Sequence, residues 1–114
     1  MGGKSARRGH LNMKIIKQLS RMIEDEINDA DKYARNAVEQ KTERPELAKT
    51  FVTLANAELE HMQLLHNAVA ALIEKERQEH GDPPPGMLEA YGFIHEWQIA
   101  HATEVRSMIQ LAQA

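Results

Sequence analysis

The segment from Glu58 to His61 contains two residues whose types suit metal binding. Glu58 and His61 lie three positions apart, so both side chains would project from the same side of an α-helix. They interrupt a seam of mainly apolar residues spaced alternately four and three positions apart, a pattern typical of a packed helix. The seam consists of Leu47, Phe51, Leu54, Glu58, His61, Leu65, Ala68 and Leu72. A carboxylate inside such an apolar arc costs free energy unless it is neutralised, and a divalent metal ion bound by Glu-x-x-His would neutralise it.

A second glutamate lies on an earlier seam of the same kind. This seam consists of Ile16, Leu19, Ile23, Glu26, Ala30, Tyr33 and Ala37. Glu26 is its only charged residue, and neither seam contains a Lys or Arg that could pair with a glutamate. We therefore interpret Glu26, Glu58 and His61 as candidate metal ligands and catalytic residues. A metal-free polar network, in which the histidine is hydrogen-bonded and inert, is the alternative.

Proline and glycine residues divide the chain into three predicted helices. Pro45 suits the first position of a helix, whereas Gly81 and the prolines at 83–85 end one. The predicted helices run from about Leu11 to Gln40, from Pro45 to about Glu79, and from about Met87 to Leu111. Because the link between the first two is short, we expect them to form an antiparallel hairpin.

The register of this hairpin predicts that the three candidate ligands lie at one level. With a turn near residues 42–44, antiparallel neighbours have residue numbers that sum to about 86. Glu26 then lies opposite a position that Glu58 and His61 bracket. The register played no part in the choice of Glu26, so this coincidence supports a shared site.

The third predicted helix has two apolar faces. One face contains Met87, Tyr91, Ile94, Gln98, Val105 and Ile109, and the other contains Phe93, Trp97, Ala100, Glu104 and Leu111. A helix that is apolar on two sides predicts an oligomer contact. His95 and His101 flank the first face and are further candidate ligands, although a histidine at a helix edge is more often a surface or interface residue.

The composition excludes several classes of site. The chain has 114 residues, which predicts one small domain, and 42% of them are hydrophobic, which is enough for a core. It has no cysteine, which excludes disulfides and thiolate metal ligands and is compatible with a reducing cytosol. No apolar run approaches the roughly 18 residues of a membrane span. We therefore expect a cytoplasmic protein without a membrane partner.

Charge is spread unevenly along the chain. Residues 1–21 carry six basic residues and no acidic one. Residues 1–12 are predicted to form a disordered basic tail, and residues 13–114 one helical domain. No aromatic residues or helix-turn-helix pattern accompany the basic segment, so we expect no nucleic-acid partner. The acidic residues Glu24, Asp25, Asp29 and Asp31 are either a cation access path or a solvated helix face.

The candidate residues resemble those of a known family. Glu26 lies seven residues before Tyr33, which Ala34 follows. Together with Glu58-Leu59-Glu60-His61, these residues resemble the first half of a ferritin-like di-iron protein of the rubrerythrin group. The resemblance covers about residues 13–73. It implies that Glu26 is the ligand from the first helix, that Glu58 bridges two metals, and that His61 is a terminal ligand. Tyr33 would lie beside these ligands and support them.

The chain departs from this family in one respect. Full ferritin-like chains have four helices and a second Glu and Glu-x-x-His, whereas this sequence shows neither, and His101 and Glu104 occur in the reverse order. One chain would hold half a site, and a two-fold dimer would rebuild the four-helix bundle. This is similar to the encapsulated ferritins, whose ferroxidase centre forms between subunits. We find no capsid-targeting tail after Leu111, so an encapsulating shell protein stays open as a partner.

These observations predict an all-α, ferritin-like hairpin with a third helix, in a homo-oligomer built on a two-fold dimer. The implied cofactor is iron, two ions per dimer, with manganese or zinc as alternatives that suit the same ligands. The implied activity is oxidation of Fe(II) by O₂ or peroxide, as in a ferroxidase or a rubrerythrin-like peroxide-reducing enzyme. The alternative is a non-enzymatic helical binding or structural module with a metal-stabilised or metal-free polar core.

Overall fold

The chain folds into three α-helices. The computed structural model describes the backbone of residues 2–114 and the side chains of residues 13–114. The helices are α1 (Gly2–Gln40), α2 (Pro45–His80) and α3 (Pro85–Gln113). No strand occurs between residues 2 and 114, which confirms the predicted all-α class. None of the helices, over the described range, is long and apolar enough to cross a membrane.

The start of α1 differs from the sequence prediction. The helix begins at Gly2 and not near Leu11. The division of the chain into a tail of residues 1–12 and a domain of residues 13–114 stays a prediction. Met1 and the side chains of residues 2–12 lie outside the described residues. A helix that is already nucleated extends by one hydrogen bond for each residue it adds, and the Lys, Ala and Arg of this segment are good helix formers.

The other helix boundaries follow from local chemistry. Pro45 occupies the first turn of α2, where a missing N–H costs nothing. Gly81 ends α2 with a φ of 79°, a conformation that glycine adopts freely, and its N–H donates to the Arg77 carbonyl at 2.9 Å. Pro85 opens α3 two residues earlier than predicted, because proline is tolerated in the first turn of a helix.

The first two helices form the predicted antiparallel hairpin. Residues 41–44 connect them, and the Arg44 N–H donates to the Gln40 carbonyl at 2.8 Å. The Tyr33 ring stacks on Phe51 with centroids 6.3 Å apart, and Glu26 lies beside His61. Partner numbers on α2 therefore rise as those on α1 fall, which is the antiparallel arrangement.

The core contains small and branched side chains from all three helices. Ile27, Ala30, Ala34 and Ala55 are fully buried, and the alanines allow α1 to approach its neighbours closely. The buried apolar residues are Ile16, Ile23, Ile27, Ala30, Ala34 and Ala37 of α1, Ala48, Val52, Ala55, Leu59 and Met62 of α2, and Ala102, Val105 and Ile109 of α3.

The predicted seam of α2 is displaced by one residue from the side chains that are buried. Leu59 is buried, whereas Leu47 and Leu54 of the predicted seam are 40% and 38% exposed. The predicted seam lies beside the row of buried side chains. The apolar arc of α2 is wider than the surface by which α2 packs on α1 and α3, so one edge of the arc stays accessible to water. In one chain, the predicted seam is therefore the edge of the core and not its centre.

The third helix packs mainly on α1. The first of its two predicted apolar faces is directed inward, since Gln98, Val105 and Ile109 of that face are buried. Gln98 donates through Nε2 to the backbone carbonyl and the hydroxyl of Ser20, at 3.3 Å and 3.2 Å. The second face is exposed in the single chain, with Phe93 73% accessible. The oligomer contact expected at this face stays a prediction.

Candidate metal centre

The hairpin brings Glu26, Glu58 and His61 together. Glu58 and His61 lie one turn apart on α2, and Glu26 lies opposite them on α1. One potential ligand atom from each residue lies within 4.8 Å of the other two. His61 Nδ1 is 3.4 Å from Glu26 Oε2 and 3.7 Å from Glu58 Oε2. The predicted convergence of the three side chains is therefore confirmed, and their binding of metal stays a prediction.

The two carboxylates are more buried than the imidazole. The side chains of Glu26 and Glu58 are 25% and 19% exposed, whereas that of His61 is 55% exposed. Glu26 Oε2 is buried and has no hydrogen-bond partner within the described residues. A buried carboxylate oxygen without a partner loses the hydration it had in water. A cation bound among the three side chains would compensate for that loss.

The electrostatics of the pair also favour a cation. Glu26 raises the pKa of Glu58, first because the two carboxyl groups can share a proton in a hydrogen bond and also through its negative charge. Burial raises this pKa further, and nearby His61 offsets part of the effect. Over residues 13–114, neither glutamate forms an ion pair with a Lys or Arg. Two adjacent carboxylates without a permanent cation are a site where a divalent ion can replace a proton.

The three side chains lie on a partly apolar surface that α3 does not cover. We call it the hairpin face and define it by Met22, Glu26, Tyr33, Leu47, Phe51, Leu54, Glu58 and His61. Met22 is 41% exposed, and Leu47 and Leu54 are similarly accessible. Contacts from α3 reach α1 elsewhere, at Ser20 and Asp31. The candidate centre is thus polar, lies among apolar side chains, and is open on one side.

Tyr33 lies on the hairpin face, where its ring packs against another aromatic side chain. Its ring stacks on Phe51. Across residues 13–114, the Tyr33 hydroxyl makes no hydrogen bond to Glu26, Glu58 or His61. Its expected role in supporting the ligands stays a prediction.

The histidines of α3 lie away from this centre. His101 Nε2 is 3.0 Å from Asp31 Oδ2, so this side chain connects α3 to α1. The His95 ring stacks on His66 of α2, with centroids 4.6 Å apart. Glu104 is exposed and does not join His101 in a ligand group within the described part of the chain. His95 and His101 are interface residues between helices.

Asp31, one of the four acidic residues of the possible access path, has a partner at each carboxylate oxygen. Arg35 Nε donates to Asp31 Oδ1 at 2.7 Å, and His101 lies against the other carboxylate oxygen. Asp25 and Asp29 are exposed, and Glu24 is half-buried. An access role for the four acidic residues stays a prediction.

Two contacts of α3 were not predicted from the sequence: the stacking of His95 on His66 and the pairing of His101 with Asp31. His66 was not singled out, although its spacing from Met62 and Val69 puts it on the inner side of α2. The partner of Asp31 could not be identified, because its contact with His101 joins positions 70 residues apart.

A scan against protein-family models, a search of curated proteins and a search of solved structures returned no match. The function is therefore argued from the residues and their geometry.

Proposed function

We propose that this chain is a di-iron carboxylate protein that oxidises Fe(II) with O₂ or peroxide, at a site formed between two subunits. The observation that carries this proposal is the convergence of Glu26, Glu58 and His61 on the hairpin face. This donor set of carboxylates and imidazole suits Fe(II), and the unpartnered Glu26 Oε2 fits a bound cation.

One chain offers too few ligands for two irons. Two copies related by a two-fold axis would offer four carboxylates and two imidazoles, the set used by di-iron bundles. The apolar rim of the hairpin face supports this assembly, because side chains such as Leu47 and Leu54 would leave water on contact with a second copy. Exclusion of water would also strengthen the electrostatic attraction between the carboxylates and iron.

Glu26, Glu58 and His61 have different roles in the proposed site. Glu58 of each copy would be shared between the two irons, and Glu26 and His61 of each copy would together hold one iron. The raised pKa of Glu58 means that its carboxyl group holds a proton more strongly than an exposed glutamate does, and a bound cation would compete with that proton. Two ferrous ions held together supply two electrons at once. With two protons, these electrons reduce O₂ to hydrogen peroxide or peroxide to two waters, and two ferric ions form.

The test is Fe(II) oxidation by the purified protein. The protein is loaded with Fe(II) without oxygen and then exposed to O₂ or to peroxide, and ferric absorbance is followed. We expect a rate above that of buffer, which Glu26→Ala, Glu58→Ala and His61→Ala lose. Glu60→Ala is the matched control, since Glu60 lies between two candidate ligands but is exposed.

Two results would contradict the proposal. An unchanged rate in all three variants, or no rate above buffer in the parent protein, favours a non-enzymatic helical module. Wild-type iron stoichiometry in Glu58→Ala would show that the ligand assignment is wrong, because the bridging carboxylate is absent there.

A further inference from the structure

A pair of histidines connects α2 and α3 away from the candidate di-iron centre. The rings of His66 and His95 are stacked, with centroids 4.6 Å apart and planes inclined by 11°. Both side chains are half-buried and line a cavity of about 240 Å³. Over residues 13–114, neither ring makes a hydrogen bond to another protein group. The nitrogens of both imidazoles are thus free to bind a ligand in this cavity.

Two carboxamides line the same cavity with their oxygens free. Gln63 donates through Nε2 to Asn67 Oδ1 at 3.0 Å, and Gln98 donates through Nε2 to Ser20. Each amide therefore uses its nitrogen as a donor. Among the described residues, neither oxygen accepts a hydrogen bond. The cavity presents two imidazoles and two carboxamide oxygens, which are four potential metal ligands without negative charge.

The surroundings of His66 favour its neutral form. Burial and the neighbouring His95 lower the pKa of His66. No Asp or Glu lines the cavity, so no carboxylate there competes for a bound cation. Metal ions bind the neutral imidazole, so the lowered pKa of His66 favours metal binding.

We propose that His66 and His95 form a second metal site, separate from Glu26, Glu58 and His61, that takes an imidazole-preferring divalent ion such as Zn²⁺ or Ni²⁺. Gln63 and Gln98 supply oxygen ligands or hold waters that complete the coordination. The terminal torsion of histidine is soft, so the rings can turn from their stacked arrangement until one nitrogen of each points to a shared ion. The ion would tie α3 to the hairpin, where α2 and α3 make few contacts.

The charge of the cavity determines the kind of ion and the affinity. The ligands carry no negative charge, and Arg106 also lines the cavity. No group in the cavity neutralises a dication, so Fe(II) would bind preferentially at the acidic centre, where two carboxylates offset its charge. Arg106 opposes a cation, and Arg106→Gln should therefore strengthen metal binding.

The experiment measures Zn²⁺ binding by calorimetry in the Glu58→Ala/His61→Ala protein, from which the first site has been removed. Co²⁺, whose visible spectrum reports nitrogen ligands, is the second probe. We expect one ion per chain, with affinity reduced at least about tenfold by His66→Ala or by His95→Ala, since each loses a direct ligand. His80→Ala on α2 is the matched control and should bind like its parent.

Further variants separate the loss of a ligand from a loss of fold. His66→Phe and His95→Phe keep a planar ring but have no ligand atom, and circular dichroism checks that their helix content is unchanged. Folded phenylalanine variants that bind Zn²⁺ as tightly as the parent would overturn the proposal, as would the absence of binding in the parent. Binding of acetate or phosphate that is tighter than the binding of metal and is lost in Arg106→Gln would overturn the proposal and show that the cavity is an anion site instead.

Discussion

His61 Nδ1 on α2 lies 3.4 Å from Glu26 Oε2 on α1, across the axis of the hairpin. The two residues are 35 positions apart in sequence, and the turn at 41–44 sets the register that brings them together. The candidate centre therefore forms only when the hairpin forms. The effect of a substitution in either helix on the candidate centre can be measured separately from its effect on the stability of the fold.

Replacing Glu58 by Gln should stabilise the metal-free protein at pH 7 by about 1 kcal/mol, because it removes a partly buried charge beside Glu26. The pKa of Glu58 is higher in the folded protein than in the unfolded chain, where it is about 4.3. The free energy of unfolding of the parent therefore falls as pH rises from about 4.3 through the folded pKa, and it is not reduced at lower pH. The gain should therefore vanish in acid. Urea unfolding with a chelator present measures it, and Glu60→Gln, at an exposed position, should change stability by less than about 0.5 kcal/mol. A loss of stability in Glu58→Gln would contradict this prediction.

Asp31→Asn should destabilise the protein by about 1 kcal/mol at pH 7, since it weakens hydrogen bonds from His101 and Arg35. Burial raises the pKa of Asp31, but those hydrogen bonds and the charges of Arg35 and His101 outweigh it and lower the pKa overall. The stabilisation is present above the unfolded pKa of about 3.9 and is lost as pH falls through the lower folded value. Unfolding free energies of parent and variant should converge in strong acid. Asp29→Asn, at an exposed position, is the control, and an equal effect in both variants would refute the contact.

Leu54→Lys should dissociate the expected dimer. Leu54 is 38% exposed on the hairpin face, and a charge there would have to be buried against the second copy. Leu64→Lys is a matched change on the same helix at a position that is 69% exposed and lies off this face, and it should leave the assembly intact. Light scattering gives the molar mass of each. A parent that is a stable, metal-loaded monomer at micromolar concentration would rule out the two-fold site.

Ile27→Ala should cost about 2–5 kcal/mol of stability, because it leaves a cavity at a site with no solvent exposure. Ile15→Ala on the same helix, where the parent side chain is 43% exposed, should cost much less. Thermal or urea unfolding of the two variants provides the comparison. Equal losses would mean that α1 does not present Ile27 to the core.

Local sequence determined the helices and most of the candidate centre. Pro45 and Gly81 act through their own backbone preferences, so the ends of α2 were readable without any tertiary contact. That Glu26, Glu58 and His61 lie at the same height along the hairpin could also be predicted from the sequence, because a short turn permits only a narrow range of hairpin registers. Helical periodicity was less informative about burial. It identified the apolar arc of α2 but not which part of it α1 covers, and Leu59 at the centre was missed.

Only the tertiary structure decided where α3 lies. Residues 81–84 link it to α2 with no hydrophobic pattern that selects one side of the hairpin. Its position depends on packing of Val105 and Ile109 against the core and on polar contacts such as Gln98 with Ser20, between residues 78 positions apart. Contacts at that separation depend on the summed free energy of the packed helices and not on local preference. For the same reason the stacked pair of His66 and His95 could not be read from the sequence, whereas the hairpin centre could.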